Sequence, residues 1–205
     1  MTDPPGRCSD RARQIVLPRS FYQRAADQVA PELLNKVLVA SDGRSGRIVE
    51  VEAYGGAVDA AAHTFRGKTA RNATMFGPAG HMYVYFTYGM HWCCNAVCAD
   101  EGDGQGVLLR ALEPLTGLEA MRAARPRARR DRDLCSGPAR LTQAMGIAGD
   151  QDGIDLVSAR EGFTIVSDGV LPPPHPTGVA RIGITRATDR LWRWYVADSE
   201  HVSRR

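Results

Sequence analysis

The most informative alternation in the chain runs from Gly77 to Asn95, reading GPAG, HMYVYFT, YGM and HWCCN. Residues rich in Val, Tyr, Phe and Trp, bounded by Gly and Pro, predict a β-hairpin that turns at Tyr88-Gly89. The strand period of two puts Tyr83 and Tyr85 on one face and Met82, Val84 and Phe86 on the other. One face therefore reads as core and the other as a stacking surface, with Tyr88 projecting from the tip. An ordinary core hairpin with an exposed tyrosine has the same pattern.

A second alternation, RIVEVEAY over Arg47–Tyr54, places Val49, Val51 and Ala53 on one face. Ile48, Glu50, Glu52 and Tyr54 fall on the other, with the two carboxylates about 7 Å apart at the usual strand rise. Val37–Ala40 and Val107–Leu112 also read as strands, the latter with Leu108, Arg110 and Leu112 on one side. Further short strands are predicted over 163–166, 179–184 and 194–196. Helical spacing appears after Ser20, where Gln23 would complete a capping box and Phe21, Ala25, Ala26 and Val29 form the apolar side. Pro31 suits the first turn of a second short helix. Leu118–Ala124 and a segment starting at Ser136-Gly137-Pro138 and running through Met145 complete the helices.

Strands and helices mix without regular βαβ alternation. The pattern predicts an α+β protein with a largely antiparallel sheet, flanking helices and a protruding hairpin. One domain is expected over 13–205, preceded by a flexible tail over 1–12 that contains two adjacent prolines and no periodicity.

Composition narrows the partners. The net charge is +3 with a pI near 8.7, which permits a nucleic-acid ligand without requiring one. Lysine occurs only at Lys36 and Lys68, so the positive charge is almost all arginine, the better bidentate phosphate binder. Five cysteines, Cys8, Cys93, Cys94, Cys98 and Cys135, form no CxxC pair and are odd in number. That argues for reduced thiols rather than a disulfide framework or a zinc site. With no apolar leader in the first twenty residues and no membrane-length run, a cytoplasmic protein is expected.

Several residues invite chemistry. Glutamate is a poor strand former, so Glu50 and Glu52 mark either a half-exposed strand or a carboxylate held rigidly at a cleft floor. Arg110, inside an apolar strand, needs a carboxylate partner, because an unpaired buried guanidinium is costly. Glu52 or Glu50 is the natural candidate. The segment Arg66–Gly77 reads as a loop able to contact phosphates through Lys68, Thr69 and Arg71, or as a solvated loop of no special role. Asp100–Gly106 lacks the spacing of a calcium loop. Arg122 to Arg132 is either a phosphate-binding arm or a basic loop that binds nothing.

Taken together, RIVEVEAYGG…AAH, TARNATMFG, GHMYVYFTYGMHWCCN, GVLLRALEP and LCSGPARLTQAMGI resemble the alkyladenine (3-methyladenine) DNA glycosylase family. The likeness covers Arg47 to Ile147 in order and spacing and continues weakly into ARIGIT and WRWYV. It implies a fold similar to the C-terminal domain of a formyltransferase. It also implies a DNA repair enzyme, without metal or cofactor, that flips a damaged purine from duplex DNA and hydrolyses its N-glycosidic bond. Glu52 matches the catalytic glutamate and Arg110 the arginine that holds it. Tyr54, His63, Tyr85, Asn95 and Leu108 match the base pocket. Tyr88 matches the side chain that enters the minor groove, with Met75 as a second wedge. Lys68, Thr69 and Arg71 flank the lesion at the DNA backbone. For neutral lesions a proton donor is needed, and Glu50 is a weak candidate. The resemblance and the composition together imply a nucleoid-associated monomer with no membrane partner. The alternatives are a non-catalytic nucleic-acid module of related fold and a small-molecule nucleosidase, which would not need a wedge at Tyr88.

Overall fold

The computed structural model of the protein describes residues 14–158 and 160–204. The expected tail over 1–12, with Cys8, lies outside the described residues. In chain order the elements are β1 (Ile15–Val16), α1 (Arg19–Tyr22), α2 (Ala26–Leu33), β2 (Val37–Ala40), β3 (Ser45–Tyr54), β4 (Met82–Thr87), β5 (His91–Cys98) and β6 (Gln105–Thr116). They continue with α3 (Leu118–Ala124), α4 (Pro138–Met145), β7 (Phe163–Ser167) and β8 (Arg193–Tyr195).

The eight strands form one sheet in the order β1-β7-β2-β3-β6-β5-β4, with β8 added to β3, and all pairings are antiparallel. The fold is α+β, as the pattern predicted. β3 is its hub, paired to β2, β6 and β8. One face of the sheet buries the main core. α2 presents Ala26, Val29, Ala30 and Leu33 to it, the i, i+3, i+4, i+7 stripe of an amphipathic helix. Met121 of α3 and Leu141 and Met145 of α4 join Val51, Ala53, Leu109 and Leu112 there.

Two irregularities decide which side chains meet the opposite face. Between β3 and β6 the register runs Ile48↔Leu112, Glu50↔Ala111, Val51↔Leu109 and Glu52↔Leu108, which leaves Val49 and then Arg110 without a directly opposed residue. A bulge shifts the side-chain alternation by one. Ile48 and Leu112, expected beside Glu50 and Arg110, therefore pack in the main core, while both glutamates and Arg110 stay on the other side.

Other expectations are corrected locally. The helix predicted from Ser20 breaks at Gln23, because Ala99 N–H donates to the carbonyls of Tyr22 and Arg24, both at 3.0 Å. Ser20 makes no cap; Pro18 occupies that position, and Pro31 lies inside α2 rather than opening a new helix. The segment 66–77, read as a loop, contains a 3-10 helix over Ala70–Phe76, opened by Asn72 Oδ1 accepting from Thr69 N–H at 2.6 Å. The segment 179–184 is not a strand. Within it Val179 bridges to Arg193, while the Ala180 carbonyl and the Ile182 N–H bond to the side chains of Arg193 and Glu52 instead.

Candidate active site

Opposite the main core, antiparallel register lines up four strands. Glu52 of β3 faces Leu108 of β6, Leu108 faces Asn95 of β5, and Asn95 faces Tyr83 of β4. One step along, Tyr85 faces Cys93. These side chains border a cavity of about 290 Å³, which Tyr54, Ala61, His63, Pro138, Ala139 and Ile182 also line. Of the residues singled out in the sequence, Glu52, Arg110, Tyr54, His63, Tyr85, Asn95, Leu108, Tyr88 and Met75 all border this cavity.

Glu52 is fully buried from solvent, accepts two hydrogen bonds and pairs with one guanidinium. Oε1 accepts from Ile182 N–H at 2.7 Å and lies 3.1 Å from an Arg110 guanidinium nitrogen, while Oε2 accepts from Tyr54 O–H at 2.8 Å. Burial raises the Tyr54 hydroxyl's pKa, and the neighbouring Glu52 charge raises it further, so Tyr54 remains a donor. The same Arg110 donates through Nε to Glu50 at 2.9 Å. Burial disfavours the guanidinium, but the two carboxylates raise its pKa on balance. Arg110 thus has both of the partners considered for it.

Glu50 is also fully buried, and Arg193 Nε and Ser203 N–H donate to it at 2.8 and 2.7 Å. Burial alone would raise its pKa, yet Arg110, Ser203 and Arg193 together hold it below the ordinary carboxylate value. A carboxyl kept ionised by two guanidiniums is no proton donor, which removes Glu50 as an acid for neutral leaving groups.

The aromatic wall is stacked. Tyr83 and Tyr85 lie at 5.4 Å with their planes 22° apart, and His63 meets Tyr85 edge-on at 4.5 Å. Desolvation at that contact, aided by Arg71, lowers the His63 pKa and favours the neutral ring. Burial also pushes Tyr83 up to about 12. Asn95 is 4% exposed, its amide donating to Tyr83 O at 3.4 Å.

At the hairpin tip Tyr88 is 82% exposed. Tyr88 and Gly89 both have positive φ, 52° and 65°, in a turn closed by Met90 N–H to Thr87 O at 3.1 Å. Glycine tolerates that geometry; a tyrosine there is uncommon and strained, a condition that collects at functional sites. Met75 does not match its expected place. It is 4% exposed, packed with Tyr83 and Val97, and forms cavity wall rather than a projecting wedge. Lys68, Thr69 and Arg71 are exposed, and Arg71 donates to Phe86 O at 2.7 Å, which ties this segment to the hairpin. Within the arginine-rich segment, Arg122 pairs with Asp131 at 2.7 Å and Arg130 with Asp133 at 3.1 Å, so part of its charge is neutralised locally.

The sequence reading omitted Tyr83, Cys93 and Ile182 from the site. Strand alternation and hairpin register carry enough signal for the first two. Nothing local marks Ile182, whose contribution is a backbone N–H.

Comparison with known proteins matches this arrangement to a family. Residues 20–200 match the family model described as methylpurine-DNA glycosylase (MPG). A protein of Burkholderia lata named "Putative 3-methyladenine DNA glycosylase" is 69% identical over 188 residues, covering 92% of this chain and 91% of its own length. Relatives of the same name from Koribacter versatilis and Methanoculleus marisnigri are each 47% identical, covering 95% and 93% of this chain and 96% and 100% of their own lengths. The chain therefore belongs to the methylpurine-DNA glycosylase family of DNA repair enzymes.

Proposed function

We propose that the protein excises alkylated or deaminated purines from duplex DNA. Candidate lesions are 3-methyladenine, 7-methylguanine, hypoxanthine and ethenoadenine. The base leaves by hydrolysis of its N-glycosidic bond, and the abasic site left behind starts base excision repair. The observation that carries this reading is Glu52, a solvent-shielded carboxylate on a rigid strand beside a cavity walled by stacked tyrosines.

A base inside a duplex is out of reach, so it must leave the stack at a cost of a few kcal/mol. Tyr88 fills the vacated place, and Tyr54, His63 and Tyr85 hold the extruded purine. Stacking on an aromatic side chain is worth about 1–3 kcal/mol per base, enough to offset much of the extrusion. Lys68, Thr69 and Arg71 take the backbone flanking the lesion. Asn95 and Leu108 crowd one edge of the base and select among purines.

Glycosidic cleavage develops positive charge on the sugar. Glu52 accepts a proton from the attacking water, and its carboxylate favours that charge. Arg110, Tyr54 and the Ile182 amide fix the direction in which the carboxylate points. A purine made cationic by alkylation leaves as a neutral base and needs no acid. The fold likeness to the C-terminal domain of a formyltransferase and a monomeric, nucleoid-associated state belong to the same reading.

The test uses a duplex carrying one 3-methyladenine, incubated with chelator. Alkali-labile abasic sites should form with wild type, whereas Glu52→Gln should bind the duplex without forming them. Wild-type cleavage by Glu52→Gln would overturn the assignment, and binding without cleavage by the wild type would favour a nucleic-acid module.

A further inference from the structure

We infer that the buried pair Arg181–Asp59 is a positioning device for Glu52, acting through the two groups that donate hydrogen bonds to that carboxylate. The inference rests on the reading of Glu52 as the catalytic base. Both members of the pair have fully buried side chains. Arg181 makes a two-pronged contact, with guanidinium nitrogens 2.5 and 2.9 Å from the two Asp59 oxygens, and one of the same nitrogens donates to Ala53 O at 2.9 Å. Such a fork fixes the direction of the arginine as well as its place.

Two consequences reach Glu52. The residue after Arg181 is Ile182, whose N–H donates to Glu52 Oε1. This segment is not part of a strand, so Arg181 and the Val179–Arg193 bridge set the aim of that amide. The flat guanidinium also lies over the Tyr54 ring, 4.8 Å from its centre, and Tyr54 O–H donates to Glu52 Oε2. Meanwhile Asp59 accepts from the backbone N–H groups of Gly55 and Ala61, both at 3.1 Å. The turn after β3 that leads to His63 is thereby tied to the segment that carries Ile182. Arg110, the ion-pair partner, reaches Glu52 independently.

A pair placed for stability alone would act on folding and leave the carboxylate's orientation to other groups. Here the pair sits between the acid's two neutral donors. A small displacement of a reacting group can cost on the order of 100-fold in rate.

The test uses the full chain, with Asp59→Asn and Arg181→Lys. Asp59→Asn is isosteric and keeps one acceptor oxygen, so it retains one of the Gly55 and Ala61 bonds and turns a donor toward the other N–H and the guanidinium, while Arg181→Lys keeps the charge and loses the fork. The measurements are single-turnover excision at saturating enzyme, affinity for an uncleavable duplex, and the folded fraction. In both variants the rate constant per folded molecule should fall roughly 10- to 100-fold, with duplex affinity within about threefold of wild type. A merely structural pair would lower the amplitude and leave the rate constant per folded molecule in place; that result would overturn the inference. Should Arg181→Lys be recovered unfolded, Asp59→Asn alone decides. If Glu52→Gln itself cleaves normally, the reading of Glu52 fails first, and the outcome is distinguishable from failure of the pair.

Discussion

Glu50 and Glu52 stand two residues apart on one strand, on one face, both fully buried and both touching Arg110. Glu50 accepts three hydrogen bonds, and Glu52 accepts two and pairs with Arg110 at 3.1 Å, so both are held by three groups. What separates them is the kind of donor and the space in front. Glu50 meets two guanidiniums and a backbone N–H and borders no part of the cavity. Glu52 meets one guanidinium, a tyrosine hydroxyl and a backbone N–H, and it opens onto the cavity. The first arrangement locks a charge into a scaffold. The second leaves one carboxylate facing open space. Arg110 joins the two, so the scaffold pair orients the cavity pair.

The sharpest way to break this comparison is to neutralise each acid in turn. On the proposed reading Glu52→Gln should lower single-turnover excision by about 100- to 10,000-fold, the usual range for removing a general base, with a smaller loss of stability than Glu50→Gln, because it gives up one guanidinium pairing rather than two. Glu50→Gln should do the reverse in emphasis. It leaves Arg110 and Arg193 facing a neutral amide, and breaking a buried pair costs roughly 3–5 kcal/mol. Chemical denaturation should register that loss, and excision per folded molecule should fall less than in Glu52→Gln. Equal effects of the two substitutions on rate would erase the distinction.

A pH titration of stability sharpens it further. The folded pKa of Glu50 is depressed, so its contribution is present above the unfolded value of about 4.3 and is lost as pH falls through the folded value. Unfolding free energy should therefore drop on acidification below that point, and Glu50→Gln should flatten the drop.

Smaller effects are expected at the periphery. Tyr88→Ala should slow excision by about tenfold, in line with 1–3 kcal/mol for one stacked base, while salt-sensitive binding to undamaged duplex changes little. Lys68→Ala should reduce the salt slope of duplex binding by about one, uniformly across sequences. An unchanged slope would take Lys68 off the DNA backbone.

How much of this was legible in the chain depends on the range of the interaction. Strand alternation found the core face of the hairpin, the glutamates' shared side, and Arg110's need for a carboxylate. Those are local rules of pleat and desolvation. Turn residues likewise announced the hairpin tip, and Gly137-Pro138 announced the start of α4. The reading failed where one residue was added to a ladder. Ile48 and Leu112 changed sides because bulges at Val49 and Arg110 break the period, and nothing in the composition of RIVEVEAY marks them. It failed again at Met75, where the 3-10 helix turned the side chain inward.

By itself, the sequence determined the α+β class, the polar residues available for chemistry, and through motif resemblance the family. Only the tertiary structure decided that Glu52, Leu108, Asn95 and Tyr83 stand in one row across four strands, because that row is a property of register rather than of any segment. It also decided that Ile182 lends its amide and Arg181 its guanidinium from the far end of the chain. A backbone N–H carries no sequence signature, and a buried ion pair is recognisable only once folding has brought its two halves within a hydrogen bond of each other.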